Sequence, residues 1–535
     1  MRRAVASLVL IAVACVCPLR AASRRPSAGV LVGDRAAEKV GKPATRPTKP
    51  ATKPTKPADE KKQRLQKVRK IARLNRRLFK LFEQGKYAEC QPLLEQVLEI
   101  DPNNNIAWYN MACVHSRAGR RDQAVESLNA AVEHGYSGFR HLERDPDLAA
   151  IRRTKGYRKL IARKDEIQRQ RAAKIRDHLR EQFGAGYLYE IDHDRKLVFA
   201  TNVDAQTLAE MKQRLTAYAT AQWKHLFDHP FERYLTIIIP KSGDWRWRGR
   251  GGFYSRGPHM LYARTVGLTL VHEFTHALHA GDQDGIGQNH PIWITEGLAT
   301  LFESSRIVHG RAEPKPNRRL NMLQGILRRK RTIPFGKFVR YSHAKFMSDP
   351  MTAYAQSRYL MMYLHDKGLL KKWYDAYTAG YEKDATGEKA MEKVLGKKLE
   401  QIEADWKEWV LKLEPPVLRL PPEHAYIGIQ LRAGIDGVRI MRVVPGSGAD
   451  KAGLKADDVI IRIDGERTID PGHLMGIVYR HKVGDKVKVR YRRDGKYKDV
   501  TVTLGAMPGR KPKPEPKPKP KTQPAATKPA KKKAA

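Results

Sequence analysis

Between residues 71 and 138 the chain repeats itself with a 34-residue period. When Ile71 is set against Asn105, Gly85 falls on Gly119, Cys90 on Ala124, Leu94 on Leu128 and Val97 on Ala131. A period of that length marks a repeat array and is compatible with two helices and their turns in each repeat. Small residues at the Cys90/Ala124 position let paired helices approach closely, so Cys90 reads as a core residue rather than a reactive thiol. Of the four cysteines, Cys15 and Cys17 lie in the first apolar run. Cys90 and Cys113 alone make no disulfide framework, and stability must come from packed cores.

Pro102 and Trp108 also fall where the tetratricopeptide pattern has its Pro and Trp, and the segment resembles two tetratricopeptide repeats. The resemblance implies a protein partner. Two repeats are too few for a stable solenoid, and Leu142–Lys164 reads as a capping helix.

The 535 residues exceed what one core can organise. A composition 41% hydrophobic and 30% charged excludes both a multi-span membrane protein and a wholly disordered chain. Arg2 and Arg3 precede the apolar run Ala4–Leu19, too short to span a bilayer and suited to an export signal. Ala21-Ala22-Ser23 offers a cleavage site. Cleaved secretion is the first reading, a lipid anchor at Cys15 the second and an uncleaved anchor the third. The expected location is the periplasm, the cell envelope or the exterior.

Net charge is +45, partly carried by two Lys/Pro-rich stretches, KPATRPTKPATKPTKP and the tail from Pro508. Both read as extended linkers. Electrostatic contact with anionic envelope surfaces is their functional reading and a solvated spacer the other. No aromatics interleave the charges, which argues against nucleic acid. The expected organisation is a signal peptide (1–23), linker (24–62), repeats with capping helix (63–165), a central domain (185–415), a strand-rich domain (424–505) and tail (506–535). The fold class is multidomain α+β.

Within the central domain, GLTLVHEFTHALHA has helical character and contains His272-Glu273-x-x-His276. At about 100° per residue the two histidines lie about 40° apart on one helical face, where both rings can share a metal ion. Glu273 is placed to reach a metal-bound water. Glu296 follows in a second helix opening near Pro291. Two imidazoles and one carboxylate leave a fourth position free, the arrangement of a catalytic zinc site. The set His272, Glu273, His276 with Trp293-x-x-Glu296-Gly297 resembles the gluzincin, thermolysin-like zinc metallopeptidases. That resemblance implies a zincin-like α+β domain with a helical C-terminal subdomain. In it His272, His276 and Glu296 would bind Zn2+ and Glu273 would act as general base. Tyr354 is a candidate oxyanion donor, with a core-packing role as the alternative. The metzincin pattern fails at His279 and Asp282. Asp282, Asp284 and His290, in GDQDGIGQNH, read as solvated or loop-structuring residues. Thr300 and Glu303 are candidates to orient an imidazole. The hairpin at Gly252–Tyr254 offers an edge for strand addition.

Tyr426-Ile427-Gly428-Ile429, followed by VVPGSGADKAGLKADDVIIRIDGE, resembles a PDZ domain of the bacterial protease-associated type, with Asp457 where Gly is usual. The resemblance implies capture of C-terminal peptides by Ile427, Gly428 and Ile429, with His473 contacting a ligand side chain. The combined expectation is an exported zinc-dependent metallopeptidase acting on protein substrates. Its alternative is a catalytically inactive zincin-fold scaffold for protein–protein interaction in the envelope.

Overall fold

A computed structural model describes residues 57–247, 249–416 and 424–507. The export signal, most of the linker and nearly all of the tail lie outside the described residues. No helix among the described residues is long and apolar enough to cross a membrane. The chain divides into two compact units, Met1–Pro416 and Val417–Ala535.

The first unit opens with two helical hairpins, Pro57–Glu83 with Tyr87–Ile100 and Asn105–Arg117 with Arg121–Glu133. The first helix therefore begins inside the expected linker, with Pro57 at a first helical position that tolerates its missing N–H. The period is visible in the packing. Cys90 and Ala124 are both fully buried, and the paired turns carry Gly85 and Gly119 at φ +69° and +75°. Trp108 Nε1 donates to the Pro102 carbonyl at 2.8 Å, tying the second hairpin to its entry turn.

The expected capping helix is instead three pieces: Phe139–Arg144, a 3-10 turn Pro146–Leu148, and Lys155–Ala162. Asp145 precedes Pro146, which disfavours helical backbone there, and its side chain accepts the Asp147 N–H at 2.9 Å. Thr154 caps the last piece by accepting from Tyr157 N–H. A long helix, Lys164–Phe183, follows. The repeats are joined to the central domain where the Arg140 N–H meets the Glu232 carboxylate at 3.0 Å and the Arg144 guanidinium donates to the Gly285 carbonyl.

The central domain is built on five strands: β1 (Leu188–Asp192), β2 (Leu197–Thr201), β3 (Leu235–Ile239), β4 (Gly252–Ser255) and β5 (Met260–Ala263). Their order is β1-β2-β3-β5-β4. β2, β3 and β5 run parallel, while β1 and β4 are antiparallel edges. β2 and β3 are buried along their whole length, as expected of apolar runs covered on both faces. The parallel crossover from β2 to β3 is made by the helix Ala205–His225, capped by Asp204. Helices Leu268–Ile286 and Ile292–Glu303 follow β5, and further helices run to Lys412 around the buried Trp293, Trp373 and Trp406.

The second unit is an antiparallel sheet in the spatial order Lys496–Thr503, Lys486–Arg493, Val459–Ile463, Val438–Val443, Ile429–Ala433. A helix, Pro471–Val478, packs its Leu474, Ile477 and Val478 into the same core as Ile440 and Ile460. Asp457 adopts φ +73°, the left-handed backbone that a glycine would take without strain.

Candidate metal centre

The helix Leu268–Ile286 presents His272 and His276 one turn apart, with Nε2 atoms 3.2 Å from each other. Glu296, on the helix Ile292–Glu303, directs Oε2 to 3.3 Å from the His272 Nε2 and 3.4 Å from the His276 Nε2. The three atoms make a nearly equilateral triangle. Metal–ligand bonds of about 2.0–2.1 Å at tetrahedral angles separate ligand atoms by about 3.3–3.4 Å, the same spacing. Glu296 Oε2 is buried and has no well-aligned hydrogen-bond partner. A nitrogen–nitrogen–oxygen donor set with an orphaned carboxylate oxygen fits a borderline-soft divalent cation.

Electrostatics within the site are strongly coupled. Burial works against a charge on Glu296, but the two imidazoles outweigh it and hold the carboxyl well below the usual range. Burial likewise opposes a charge on His272, yet the carboxylates of Glu296, 3.3 Å away, and of Glu303, hydrogen-bonded to it, hold that imidazole well above its usual value. Glu303 Oε2 lies 2.9 Å from His272 Nδ1, and its other oxygen accepts from Arg319. This contact fixes the ring and leaves Nε2 facing the centre. Thr300 takes no such role, since its hydroxyl bonds the Glu296 and Gly297 carbonyls of its own helix.

Glu273 is 8% exposed, and burial is the chief cause of its raised pKa. The Tyr254 backbone N–H bonds its carboxylate, tying it to β4. Gly252 makes that approach feasible: a Cβ there would sit 2.7 Å from Thr269 Cγ2 and 3.0 Å from Glu273 Cγ. Tyr354, on the helix Pro350–Asp366, has its pKa raised by burial and then by Glu296 and Glu273, and it hydrogen-bonds Glu296. Gly297 admits that helix, because a Cβ at 297 would lie 2.9 Å from Met361 Cγ.

The segment GDQDGIGQNH is not the expected loop, for the helix continues to Ile286. Asp282 is buried and accepts from the Asp228 and His229 N–H groups and the Tyr374 hydroxyl. Asp284 pairs with Arg256 on the surface. His279 and His290 face each other, Nε2 to Nδ1, at 2.7 Å, and burial pushes His290 down to about 3. These residues consolidate the helix rather than ligate at the centre. Arg319, the partner of Glu303, carried no signal in the sequence because it lies on a separate helix with ordinary surface composition.

In the second unit Gly428 takes φ +88°, and a Cβ there would fall 2.1 Å from Ser447 Cβ. Ile427 and Ile429 are buried, and Ile429 begins the edge strand beside the helix Pro471–Val478. His473 is held by Glu466, Nε2 to Oε1, at 2.9 Å.

The PDZ domain family matches residues 425–504 and the tetratricopeptide repeat family residues 81–137. The chain is thus a multidomain α+β protein with tetratricopeptide repeats and a PDZ domain. It is similar to a probable periplasmic serine endoprotease, DegP-like, of Marinomonas sp. (strain MWYL1), 42% identical over 73 residues, 14% of this chain and 16% of that protein. The serine protease Do-like HtrA of Lactobacillus helveticus is 42% identical over 84 residues, 16% of this chain and 20% of that protein. Among solved structures, an HtrA-type protease AlgW with decapeptide matches at 19% identity and a TM-score of 0.16, covering 21% of this chain and 36% of that one. The chain therefore spans no more than a fifth of the curated relatives' length in these matches.

These relatives correct the functional expectation. The proteases with which the chain shares its PDZ region are serine endoproteases. The metalloprotease reading of the His-Glu-x-x-His sequence, with Glu273 as general base on a zinc-activated water, is not retained, nor is the inactive zincin scaffold offered as its alternative.

Proposed function

We propose that the chain is an exported polypeptide-recruiting protein whose central domain holds one divalent cation, zinc, on His272, His276 and Glu296. The carrying observation is the triangle of ligand atoms with edges of 3.2 to 3.4 Å, closed by an orphaned carboxylate oxygen. The five-stranded sheet with an antiparallel edge, followed by two ligand-bearing helices, supports a zincin-like frame for this domain. His272, His276 and Glu296 would hold the cation, which would supply Lewis acidity there. The Glu273 carboxyl, tied to β4 by the Tyr254 N–H, and the Tyr354 hydroxyl, bonded to Glu296, would border the bound ion and shape its surroundings.

Recruitment rests on the flanking modules. Ile427, Gly428 and Ile429 frame a groove between an edge strand and a helix, suited to an extended peptide ending in a carboxylate. The repeats serve a protein partner. Export is supported by the amino-terminal apolar run and by the periplasmic naming of the DegP-like relative.

Metal analysis of the purified full chain, after zinc loading and passage over a chelating resin, tests the centre. The expected result is one zinc per chain in the wild type and substoichiometric zinc in His272→Ala and Glu296→Gln. Wild-type zinc content in both variants, or none in the parent, would overturn the assignment.

A further inference from the structure

A cavity of about 190 Å³ lies where the second repeat, the helix Lys164–Phe183 and the segments flanking β3 and β5 meet. Its lining includes Asn105, Ser137, Gln168, Arg171, Arg233 and His259. No acidic residue lines it. Arg171 has a buried Nη1 with no hydrogen-bond partner, and burial, then Arg233, lowers its pKa. Arg233 donates to the Gly257 and Arg256 carbonyls at 2.9 and 3.0 Å. Its nearest carboxylate, Asp284, is 3.8 Å away and lies closer to Arg256, at 2.5 Å. His259 is 2% exposed, with Nδ1 2.7 Å from the Tyr254 hydroxyl and Nε2 unpartnered.

Burying a guanidinium without a counter-charge costs several kcal/mol, and proteins ordinarily offset it with an anion. Arg171 is such a group, and the part-exposed Arg233, whose own carboxylate partner Asp284 is 3.8 Å away, converges on it with amide and hydroxyl side chains. A neutral His259 that accepts from Tyr254 at Nδ1 carries its proton at Nε2, adding another N–H donor. Planar guanidinium donors match the oxygens of phosphate, sulfate or carboxylate. The volume suits a small molecule rather than a polymer.

We propose that this cavity is a binding site for a small soluble oxyanion, held by Arg171 and Arg233 with a hydrogen bond from His259. The site does not depend on the metal centre. It touches the same strand, because Tyr254, which holds His259, also bonds Glu273 through its backbone N–H.

Equilibrium dialysis of the full chain with radiolabelled inorganic phosphate, at fixed ionic strength, tests it. Unlabelled phosphate, sulfate and acetate serve as competitors in separate arms. One saturable site per chain is expected, displaced by at least one of the three anions. Arg171→Met should weaken binding by at least about tenfold, the loss of a charge-assisted pair. Asn105→Asp, which places a carboxylate beside Arg171, should weaken it similarly while leaving the folded chain intact. Arg69→Met, an exposed change on the first helix, should leave it unaltered. The absence of any saturable site, or binding by both Arg171→Met and Asn105→Asp equal to wild type, would overturn the proposal.

Discussion

Glu303 gives the sharpest handle on the metal centre, because it touches a ligand without being one. Its Oε2 accepts from His272 Nδ1 at 2.9 Å in a buried setting, and its other oxygen is bound by Arg319. Replacing it by Leu removes the acceptor that fixes the imidazole and its tautomer. Losing such a partner typically lowers metal affinity by about 10–100-fold, or about 1.4–2.7 kcal/mol. Glu303→Gln keeps the size and one acceptor while discarding the charge, so its loss should fall at the lower end. Arg319 and the fully buried Arg358 would then lose a nearby carboxylate, and some fall in melting temperature should accompany both variants. Competition with a chromophoric zinc chelator, using full-length protein checked by circular dichroism, measures the affinity. A melting temperature that falls while zinc affinity stays within twofold of wild type would refute the orienting role and leave Glu303 a purely structural ion-pair partner.

The remaining predictions address pH and the other modules. In the metal-free chain the raised pKa of His272 means that its ion pairs stabilise the fold below its ordinary value of about 6.5, and that this contribution is lost as pH rises through the elevated folded value. Chelated protein should therefore lose thermal stability as pH rises above about 6.5, and Glu303→Gln should flatten that decline. Gly428→Ala should cost at least about 1–2 kcal/mol from left-handed backbone alone, and more from the overlap with Ser447, read as earlier unfolding in urea and lost peptide binding. Peptides with a free C-terminus should bind the full chain more tightly than their amidated forms in a calorimetric titration; equal affinities would argue against carboxylate capture. Cys113, buried and with its thiol pushed far up by burial and then Asp145, should resist Ellman's reagent until the chain is unfolded.

Legibility in the sequence followed the range of the interactions. The repeats were readable because each position meets its equivalent 34 residues on, and Cys90 and Ala124 are indeed both fully buried. His272 and His276 were readable as neighbours because one helical turn sets their spacing. The helix beyond His276 was misread: Gly281, Asp282, Gly285 and Gly287 suggest a loop. Asp282 is instead buried against the Asp228 and His229 amides and Tyr374, more than fifty residues away in either direction. The broken capping helix was announced by Asp145-Pro146, but only the capping bond to Asp147 shows how the break is used. The Arg171 cavity left no local trace, since its walls come from segments spread between residues 105 and 259.

Strand β4 is short, and this has a thermodynamic corollary. Along a four-residue antiparallel edge only alternate residues turn their amide and carbonyl groups outward, and the Tyr254 N–H already bonds Glu273, so β4 can offer at most roughly two residues' worth of pairing to a visiting chain. At about 0.5–1.5 kcal/mol net per hydrogen bond, that does not recover the several kcal/mol lost on immobilising a free partner. A polypeptide would lodge there with useful occupancy only when already tethered elsewhere on the same molecule, at an effective concentration in the millimolar range. The same shortness leaves two copies of the protein too little exposed backbone to zip together through their β4 edges.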